Sequence, residues 1–167
     1  AVSLTKVHHD IVTCSKCERL RTYCTEIARV KRAAFRNETY WARPVPGFGD
    51  PNARMLILGL APAAHGANRT GRVFTGDGGG GSGDFLMTAM HRHGFASIPT
   101  SQSLDDGLQL TDAFIAAVVR CAPPDNRPTT AEREACAPWI EAEVALLAPS
   151  VRVVVALGSI GWDAALR

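Results

Sequence analysis

The sequence predicts an α/β fold with a mainly parallel sheet, because predicted strands alternate with predicted helices along the chain. Residues 55–60 form a short apolar run, as expected of a strand that is covered on both faces. Residues 151–157 form the clearest strand, and residues 114–120 fit a third strand although their alanines also allow a helix. With 167 residues, 46% of them hydrophobic, the chain is long enough to form one domain over residues 1–167.

Helices are predicted in the stretches between these strands. Residues 4–36 contain no Pro or Gly and are predicted to be helical, with an interruption at residues 14–17. Residues 84–93 form a second predicted helix, and Thr129 or Thr130 caps a third that runs to about Leu147. A last helix is predicted after residues 158–159. By contrast, residues 43–51 hold three prolines and two glycines, which predicts a loop without regular structure.

The composition narrows the class of protein. No apolar run approaches the roughly 20 residues that a membrane helix needs, and no signal-peptide pattern opens the chain. We therefore expect a cytoplasmic protein without a membrane partner, in which five cysteines are more often metal ligands or free thiols than disulfides. Residues 1–46 carry nine Lys and Arg against four Asp and Glu. This charge suits a polyanionic partner such as nucleic acid, but an ordinary solvated helix face explains it equally well.

Two unusual loops follow predicted strands. The first, "GLAPAAHGANRTGRVFTGD" at residues 59–77, combines four glycines with two arginines, a histidine and a final aspartate. The second, "CAPPDNRP", spans residues 121–128. Both loops leave the carboxyl ends of strands, which form the edge where ligands bind in open parallel sheets. The sequence thus predicts an active site at this edge.

Four cysteines have a spacing that is typical of metal sites. Cys14 and Cys17 form a C-x-x-C motif, and Cys121 and Cys136 are separated by fourteen residues. Thiolates from two distant segments suit either an iron–sulfur cluster or structural zinc, and the spacing does not choose between them. Cys24, seven residues after Cys17, is interpreted as a buried thiol.

Together these motifs resemble the family 5 (type B) uracil-DNA glycosylases, from Cys14 to the strand at residues 151–157. The resemblance implies a three-layer α/β/α sandwich around a parallel sheet of about four strands. It implies a monofunctional, monomeric DNA-repair enzyme that flips uracil or another deaminated or modified base out of the helix, hydrolyses its N-glycosidic bond and leaves an abasic site. It also implies a 4Fe-4S cluster on Cys14, Cys17, Cys121 and Cys136.

The resemblance further assigns roles to residues of both loops. Asp77 matches the family's catalytic carboxylate, which would stabilise positive charge on the sugar and orient the attacking water. Asn126 matches a polar residue near the base or the water. On the residues alone, the sequence favours Asp77 as a turn residue before glycines and Asn126 as an Asx turn. The residues expected to bind the substrate are Ala61, Pro62, Ala63, Ala64, His65, Gly66 and Phe74.

Several residues of the first loop have two interpretations. Phe74 either stacks on the base or belongs to the core, and His65 either points into the pocket or stabilises a turn. Arg69 and Arg72 are expected to contact DNA phosphates, although each could instead anchor the loop in an ion pair. The four glycines are expected to let backbone amides approach a flat base closely.

Two features depart from the family pattern. Gly78–Gly81 is a run of four glycines, interpreted as an insertion or a lid, and it raises the entropic cost of ordering the loop. No histidine follows His93, so the family's C-terminal His-Pro-Ser-type motif is absent. We therefore expect these residues to lack the C-terminal part of the domain, to bind DNA and to excise bases poorly by themselves.

Other classes of function fit parts of the sequence. A non-catalytic DNA-binding module with a metal cluster would explain the cysteines and the missing histidine. A phosphate-binding loop at residues 76–83 is a weaker candidate, because no Gly-Lys-Ser/Thr motif follows it.

Overall fold

A computed structural model describes residues 2–77 and 80–167 of the chain. The sheet in this part of the chain has four strands in the order β1-β3-β2-β4. They are β1 (Phe48–Gly49), β2 (Met55–Gly59), β3 (Ala113–Ala117) and β4 (Val153–Ala156). The central strand β2 is parallel to both of its neighbours, with Ile57 opposite Ile115 and Val155. The prediction of a mainly parallel sheet is confirmed.

The short edge strand β1 lies in a segment that the sequence predicts to be a loop. It runs antiparallel to β3, with Phe48 opposite Ile115 and Gly49 opposite Phe114. Gly49 has a φ of +142° and lies so close to the Ala113 carbonyl that a Cβ would overlap it. The prolines of the segment flank the pairing rather than interrupt it, which is why a proline-rich stretch still contributes a strand.

Six α-helices and two 3₁₀ turns surround the sheet in the described residues. The helices are α1 (Leu4–Val12), α2 (Glu18–Val30), α3 (Ala67–Thr70), α4 (Ser82–Arg92), α5 (Thr130–Leu147) and α6 (Ser159–Ala165). The 3₁₀ turns are Ala33–Phe35 and Pro124–Asn126. Thr129 caps α5 in a reciprocal capping box with Glu132, as its position in the sequence predicted. The predicted helix over residues 4–36 is confirmed with its break, but its α-helical part ends at Val30.

Successive residues of the strands point to opposite faces of the sheet, and each face has its own hydrophobic core. Ile57 and Ile115 pack with Met87 and Met90 of α4 on one face. Leu56 and Phe114 pack on the opposite face, where Ile140 and Leu147 of α5 and Leu4 of α1 cover them. Helices on both faces of a parallel sheet define the expected three-layer α/β/α sandwich, which is thereby confirmed.

A third, smaller core joins α2 to the loop after β3. It contains Leu20, Cys24, Val119, Cys121 and Ala122. No helix in the described residues has the length and apolar character needed to cross a membrane. The predicted insertion or lid at Gly78–Gly81 falls partly outside the described residues.

Candidate active site

Two adjoining hollows lie at the carboxyl ends of β2 and β3, where the sequence predicted a site. The inner hollow is lined by Gly59, Ala61, Pro62, Ala63, Ala67, Val73, Phe74, Asp77, Ser82 and Ala117. The outer hollow is lined by Tyr23, Arg32, Phe35, Ala63, Ala64, His65, Gly66, Gly76, Asp77, Pro123, Asp125 and Asn126. Ala63 and Asp77 border both hollows. The fold therefore brings the two loops together, with every predicted substrate-binding residue and both predicted catalytic residues on one connected surface.

Asp77 is fixed at the beginning of α4. Its Oδ2 accepts hydrogen bonds from Ser82 Oγ at 3.0 Å and from the Gly83 backbone N–H at 3.2 Å. The carboxylate thus caps a helix whose own N-cap residue, Gly81, has no side chain to do so. A helix N-terminus favours a negative charge, so this position suits an ionised carboxylate. Oδ1 remains on the side of the hollows, next to Gly66.

Two glycines of the first loop make room for the loop's own side chains. A Cβ on Gly66 would overlap Asp77 Oδ1, and a Cβ on Gly59 would lie 2.9 Å from the ring of Phe74. These glycines let Asp77 and Phe74 pack closely against the backbone. The expectation that they also admit a flat base stays a prediction. Phe74 has a φ of 50°. Its ring packs against the core and also lines the inner hollow, so the structure is compatible with a core role and with stacking on a base.

The predicted DNA contact is wrong for Arg72, which is an internal anchor. Its side chain is only 3% exposed and forms an ion pair of 2.7 Å with Asp106. It also donates hydrogen bonds to Thr75 Oγ1 at 2.9 Å and Ser101 Oγ at 3.0 Å. A guanidinium that is this buried and bonded to three acceptors holds the loop together from inside.

Arg69 also anchors the loop, the second of its two interpretations. Its guanidinium donates to the carbonyl of His65 at 2.8 Å and to the carbonyl of Gly76 at 2.7 Å. It forms an ion pair with Glu38, and its side chain is 9% exposed. Because Gly76 precedes Asp77, this arginine ties together the two backbone segments that carry His65 and the candidate carboxylate.

Asn126 ends the second loop's 3₁₀ turn and faces the outer hollow. Its φ of 54° lies in the left-handed region, which Asn tolerates better than most residues. Within the described residues its side-chain amide makes no hydrogen bond, so the predicted Asx turn is not formed there. The amide is free to bind a ligand in the hollow that it shares with Asp77.

Five polar residues at or beside the site were missed by the sequence analysis: Tyr23, Arg32, Tyr40, Ser82 and Asp125. Asp125 and Ser82 are neighbours of predicted residues in the chain, so proximity to Asn126 and Asp77 was a usable signal. Tyr40 contacts His65 from 25 residues away, and Arg32 reaches the same hollow from the end of α2. No local pattern indicates such contacts.

The four cysteines of the predicted metal site line one small pocket, together with Lys16, Leu20, Arg21, Pro44, Val119, Arg120, Ala135 and Trp139. Cys14 and Cys17 connect α1 to α2, Cys121 follows β3 and Cys136 lies on α5. Cys24 is not in this lining. Within residues 2–77 and 80–167, however, the structure contains no group of three or more His, Cys, Asp or Glu side chains arranged so that they could bind a metal ion. The ligand set therefore stays a prediction.

Burial and nearby thiols raise the pKa of three of these cysteines. Burial, with the neighbouring Cys121 and Cys14, raises the pKa of Cys17. Burial raises the pKa of Cys136 to about 11. A hydrogen bond with Cys24 and burial raise the pKa of Cys121. Thiolates at this pocket would need a cation or a cluster to stabilise them.

Comparison with known proteins defines the class. Residues 46–167 match the model of the uracil DNA glycosylase superfamily. Over its whole length the chain is 52% identical to a type-5 uracil-DNA glycosylase of Mycobacterium leprae, covering 72% of that protein. It is also 52% identical to one of Mycobacterium tuberculosis, covering 61%, and 54% identical over 93% of its length to one of Thermus thermophilus, covering 68%.

The chain belongs to the type-5 uracil-DNA glycosylases of this superfamily. It spans 61 to 72% of the length of these three relatives. A more distant similarity, 30% identity over 99% of the chain, links it to a type-4 uracil-DNA glycosylase of Pyrobaculum aerophilum. The family resemblance predicted from the two loops and the cysteines is thus confirmed. The comparisons give no support to a non-catalytic DNA-binding module.

Proposed function

We propose that this protein removes uracil from DNA by hydrolysing the bond between the base and its deoxyribose, leaving an abasic site. The observation that carries the proposal is the convergence of Asp77 and Asn126, from two loops, on one hollow at the carboxyl edge of the sheet. Relatives that are more than half identical to the chain are named uracil-DNA glycosylases, which supports the same reaction.

Asp77 would serve the sugar side of the reaction. As the glycosidic bond breaks, the deoxyribose gains cationic character, and a fixed carboxylate stabilises that charge. The two hydrogen bonds at Oδ2 hold the carboxylate in place and leave Oδ1 beside Gly66 for the sugar or for a water molecule. The amide of Asn126, unengaged within the described residues, would hold the water or the base on the opposite side of the outer hollow.

The flipped base would occupy the two adjoining hollows, which share Ala63 and Asp77. The lining of the inner hollow is mostly small and apolar, and among its side chains only Asp77 and Ser82 are polar. A pocket with so few polar side chains discriminates weakly between bases that differ in one polar group. This supports activity on other deaminated or modified bases besides uracil.

We infer that Cys14, Cys17, Cys121 and Cys136 hold a 4Fe-4S cluster, which would supply four strong iron–thiolate bonds between separate elements of the fold. Their common pocket supports the assignment, as do two hydrogen bonds to sulfur. The Arg120 backbone N–H donates to Cys136 Sγ at 3.3 Å, and Arg21 Nη1 donates to Cys121 Sγ at 3.7 Å. Because Cys121 opens the loop that ends near Asn126, the cluster would also fix one side of the candidate active site.

One chain supplies both sides of the hollow, which favours a monomer as the working unit. A DNA substrate also favours a location beside the chromosome, in the cytoplasm of a prokaryotic cell.

Strand incision tests the proposed function. A labelled duplex with one uracil is incubated with the 167-residue chain and, in parallel, with a form that spans the whole length of its relatives. Alkali then cleaves any abasic site. We expect cleavage at the uracil with the longer form and weaker cleavage with the 167 residues. A duplex with thymine at the same position is the control. Intact uracil strands with both forms would contradict the proposal.

A further inference from the structure

His65 and Tyr40 form a buried hydrogen-bonded pair behind the outer hollow. Tyr40 Oη lies 2.8 Å from His65 Nδ1, and the two rings meet edge to face with centroids 5.9 Å apart. Tyr40 is 7% exposed, whereas His65 is partly exposed and lines the hollow together with Asp77 and Asn126. The imidazole is therefore held on one edge and open to a ligand on the other.

The hydrogen bonds around Tyr40 indicate the tautomer of His65. The backbone N–H of Arg32 donates to Tyr40 Oη at 3.3 Å, so this oxygen already accepts one hydrogen bond. Within the described residues, His65 Nδ1 is the only acceptor for the hydroxyl proton of Tyr40. A buried hydroxyl is satisfied when it donates to that nitrogen. Nδ1 then acts as an acceptor, and the ring proton is carried by Nε2, on the open edge of the ring.

The surroundings also keep the imidazole neutral. Burial lowers the pKa of His65, and the nearby Arg32 and Arg69 guanidinium groups lower it further. The other charged side chains that line the hollow are Asp77 and Asp125. A protonated imidazole in this hollow would attract Asp77 and offset the negative charge on which the reaction depends. A neutral ring donates a hydrogen bond without that effect.

We propose that His65 Nε2–H is a neutral hydrogen-bond donor to a carbonyl oxygen of the extruded base, and that Tyr40 is the positioning residue that fixes its tautomer. The inference rests on the proposed function and adds a recognition group and its protonation state to it. Such a donor also stabilises the negative charge that develops on the base as it leaves.

The tautomer is measured first, by ¹⁵N NMR of histidine-labelled protein, with His65→Gln used to assign the signal. We expect the pattern of a neutral ring protonated at Nε2 at pH 7. The Tyr40→Phe variant keeps the aromatic ring but loses the hydroxyl, and we expect a mixture of tautomers. A signal protonated at Nδ1 in the unsubstituted protein would overturn the assignment.

Binding is measured next, on two duplexes that differ only at one nucleotide, which carries a base in the first and none in the second. One carries 2′-fluoro-deoxyuridine, whose glycosidic bond resists hydrolysis because fluorine destabilises the developing cation. The other carries a tetrahydrofuran abasic analogue. We expect His65→Ala to weaken binding of the first duplex by roughly five- to a hundredfold, the scale of one buried hydrogen bond, and to leave the second unchanged. We expect a smaller loss in the same direction for Tyr40→Phe.

His91→Ala is the matched control, because His91 lies in the last turn of α4 and lines neither hollow. Equal losses on both duplexes would show that His65 contacts the DNA backbone, and would overturn the inference. Failure of the proposed function has a different signature: the unsubstituted protein would then bind both duplexes and a thymine duplex alike.

Discussion

The loop that carries Asp77 and the group of four cysteines lie at the same edge of the sheet, but they are stabilised in opposite ways. In the loop, arginine side chains form ion pairs with carboxylates. Arg72 pairs with Asp106, and Arg69 pairs with Glu38 while it binds two backbone carbonyls. Among the cysteines, neighbouring thiols and burial disfavour the charged form, as the raised pKa values of Cys17 and Cys136 express.

The two regions therefore differ in what stabilises them: ion pairs within the protein for the loop, and a bound group for the cysteines. The loop contains the counter-charges that hold it, so its geometry is set before any ligand binds. Lys16 and Arg21 also line the cysteine pocket, but burial and the neighbouring thiols still raise the pKa of Cys17, so the proposed cluster would add stability that these two charges do not supply. The loop should therefore respond to loss of single ion pairs, and the cysteines to loss of iron.

The largest effect is expected at the cysteines. Cys17→Ser or Cys121→Ser removes one proposed cluster ligand, and we expect loss of the broad absorbance at about 400 nm and of cooperative thermal unfolding. Cys24→Ala is the matched control, because Cys24 is buried nearby but does not line the cysteine pocket, and it should keep the absorbance. A colourless protein that carries stoichiometric zinc after anaerobic purification would contradict the cluster assignment.

The next effect is expected at Arg72. Arg72→Met leaves the buried Asp106 carboxylate, Thr75 and Ser101 without their donor, so we expect a loss of about 3 to 5 kcal/mol in the free energy of unfolding. Urea denaturation measures it. Arg54→Met provides the comparison, since Arg54 also pairs with an aspartate, Asp112, but its side chain is 72% exposed. Loss of that exposed pair should destabilise the protein much less, and equal losses would refute the anchoring role of Arg72.

Acid should weaken the same anchor. Burial raises the pKa of Asp106, but Arg72 and three backbone N–H groups lower it more, to about 2. A pKa below the unfolded value means that Asp106 contributes stability above about pH 4 and loses it as the pH falls towards 2. The contribution is about 2 kcal/mol. We expect Asp106→Asn to be less stable at pH 7 and to show a flatter stability profile between about pH 4 and 2. An unchanged profile would contradict this.

The smallest effect is expected at Arg32 on DNA binding. Several basic residues of the N-terminal region are engaged in the structure, for example Arg19 with Glu132 and Arg29 with Glu26, whereas Arg32 lines the outer hollow. We expect Arg32→Gln to weaken binding of duplex DNA several-fold, by about 1 kcal/mol, and to reduce the slope of log K against log salt by about one. Lys6→Gln, at an ion pair with Asp10 on α1, is the control. A slope unchanged by Arg32→Gln would show that Arg32 does not bind phosphate.

The sequence predicted those parts of the site that follow from chain order and strand ends. Asp77 and Asn126 each follow a strand of the same parallel sheet, so their arrival at one edge was foreseeable. The partners of the loop arginines were not foreseeable. Asp106 lies 34 residues beyond Arg72, and Glu38 precedes Arg69 by 31 residues, so no local pattern relates them.

The same reasoning explains the errors in the fold. Strand β1 has only two residues, and its pairing depends on the close approach of Gly49 to Ala113, which a proline-rich sequence conceals. The hydroxyl of Tyr40 reaches His65 because the segment after α2 folds back over the first loop. Contacts of this kind are set by tertiary packing, whereas strands, caps and loop edges are set locally.

The central claim is that Asp77 is the carboxylate that drives base excision, and one pair of variants tests it most directly. Asp77→Asn and Asp125→Asn remove one charge each from the same hollow. Single-turnover excision of uracil is measured in a form that spans the whole length of the relatives. We predict that Asp77→Asn slows excision by roughly two to four orders of magnitude while DNA binding stays equal or tightens, and that Asp125→Asn changes the rate little. Near-normal excision by Asp77→Asn, or an equal loss in both variants, would contradict the account.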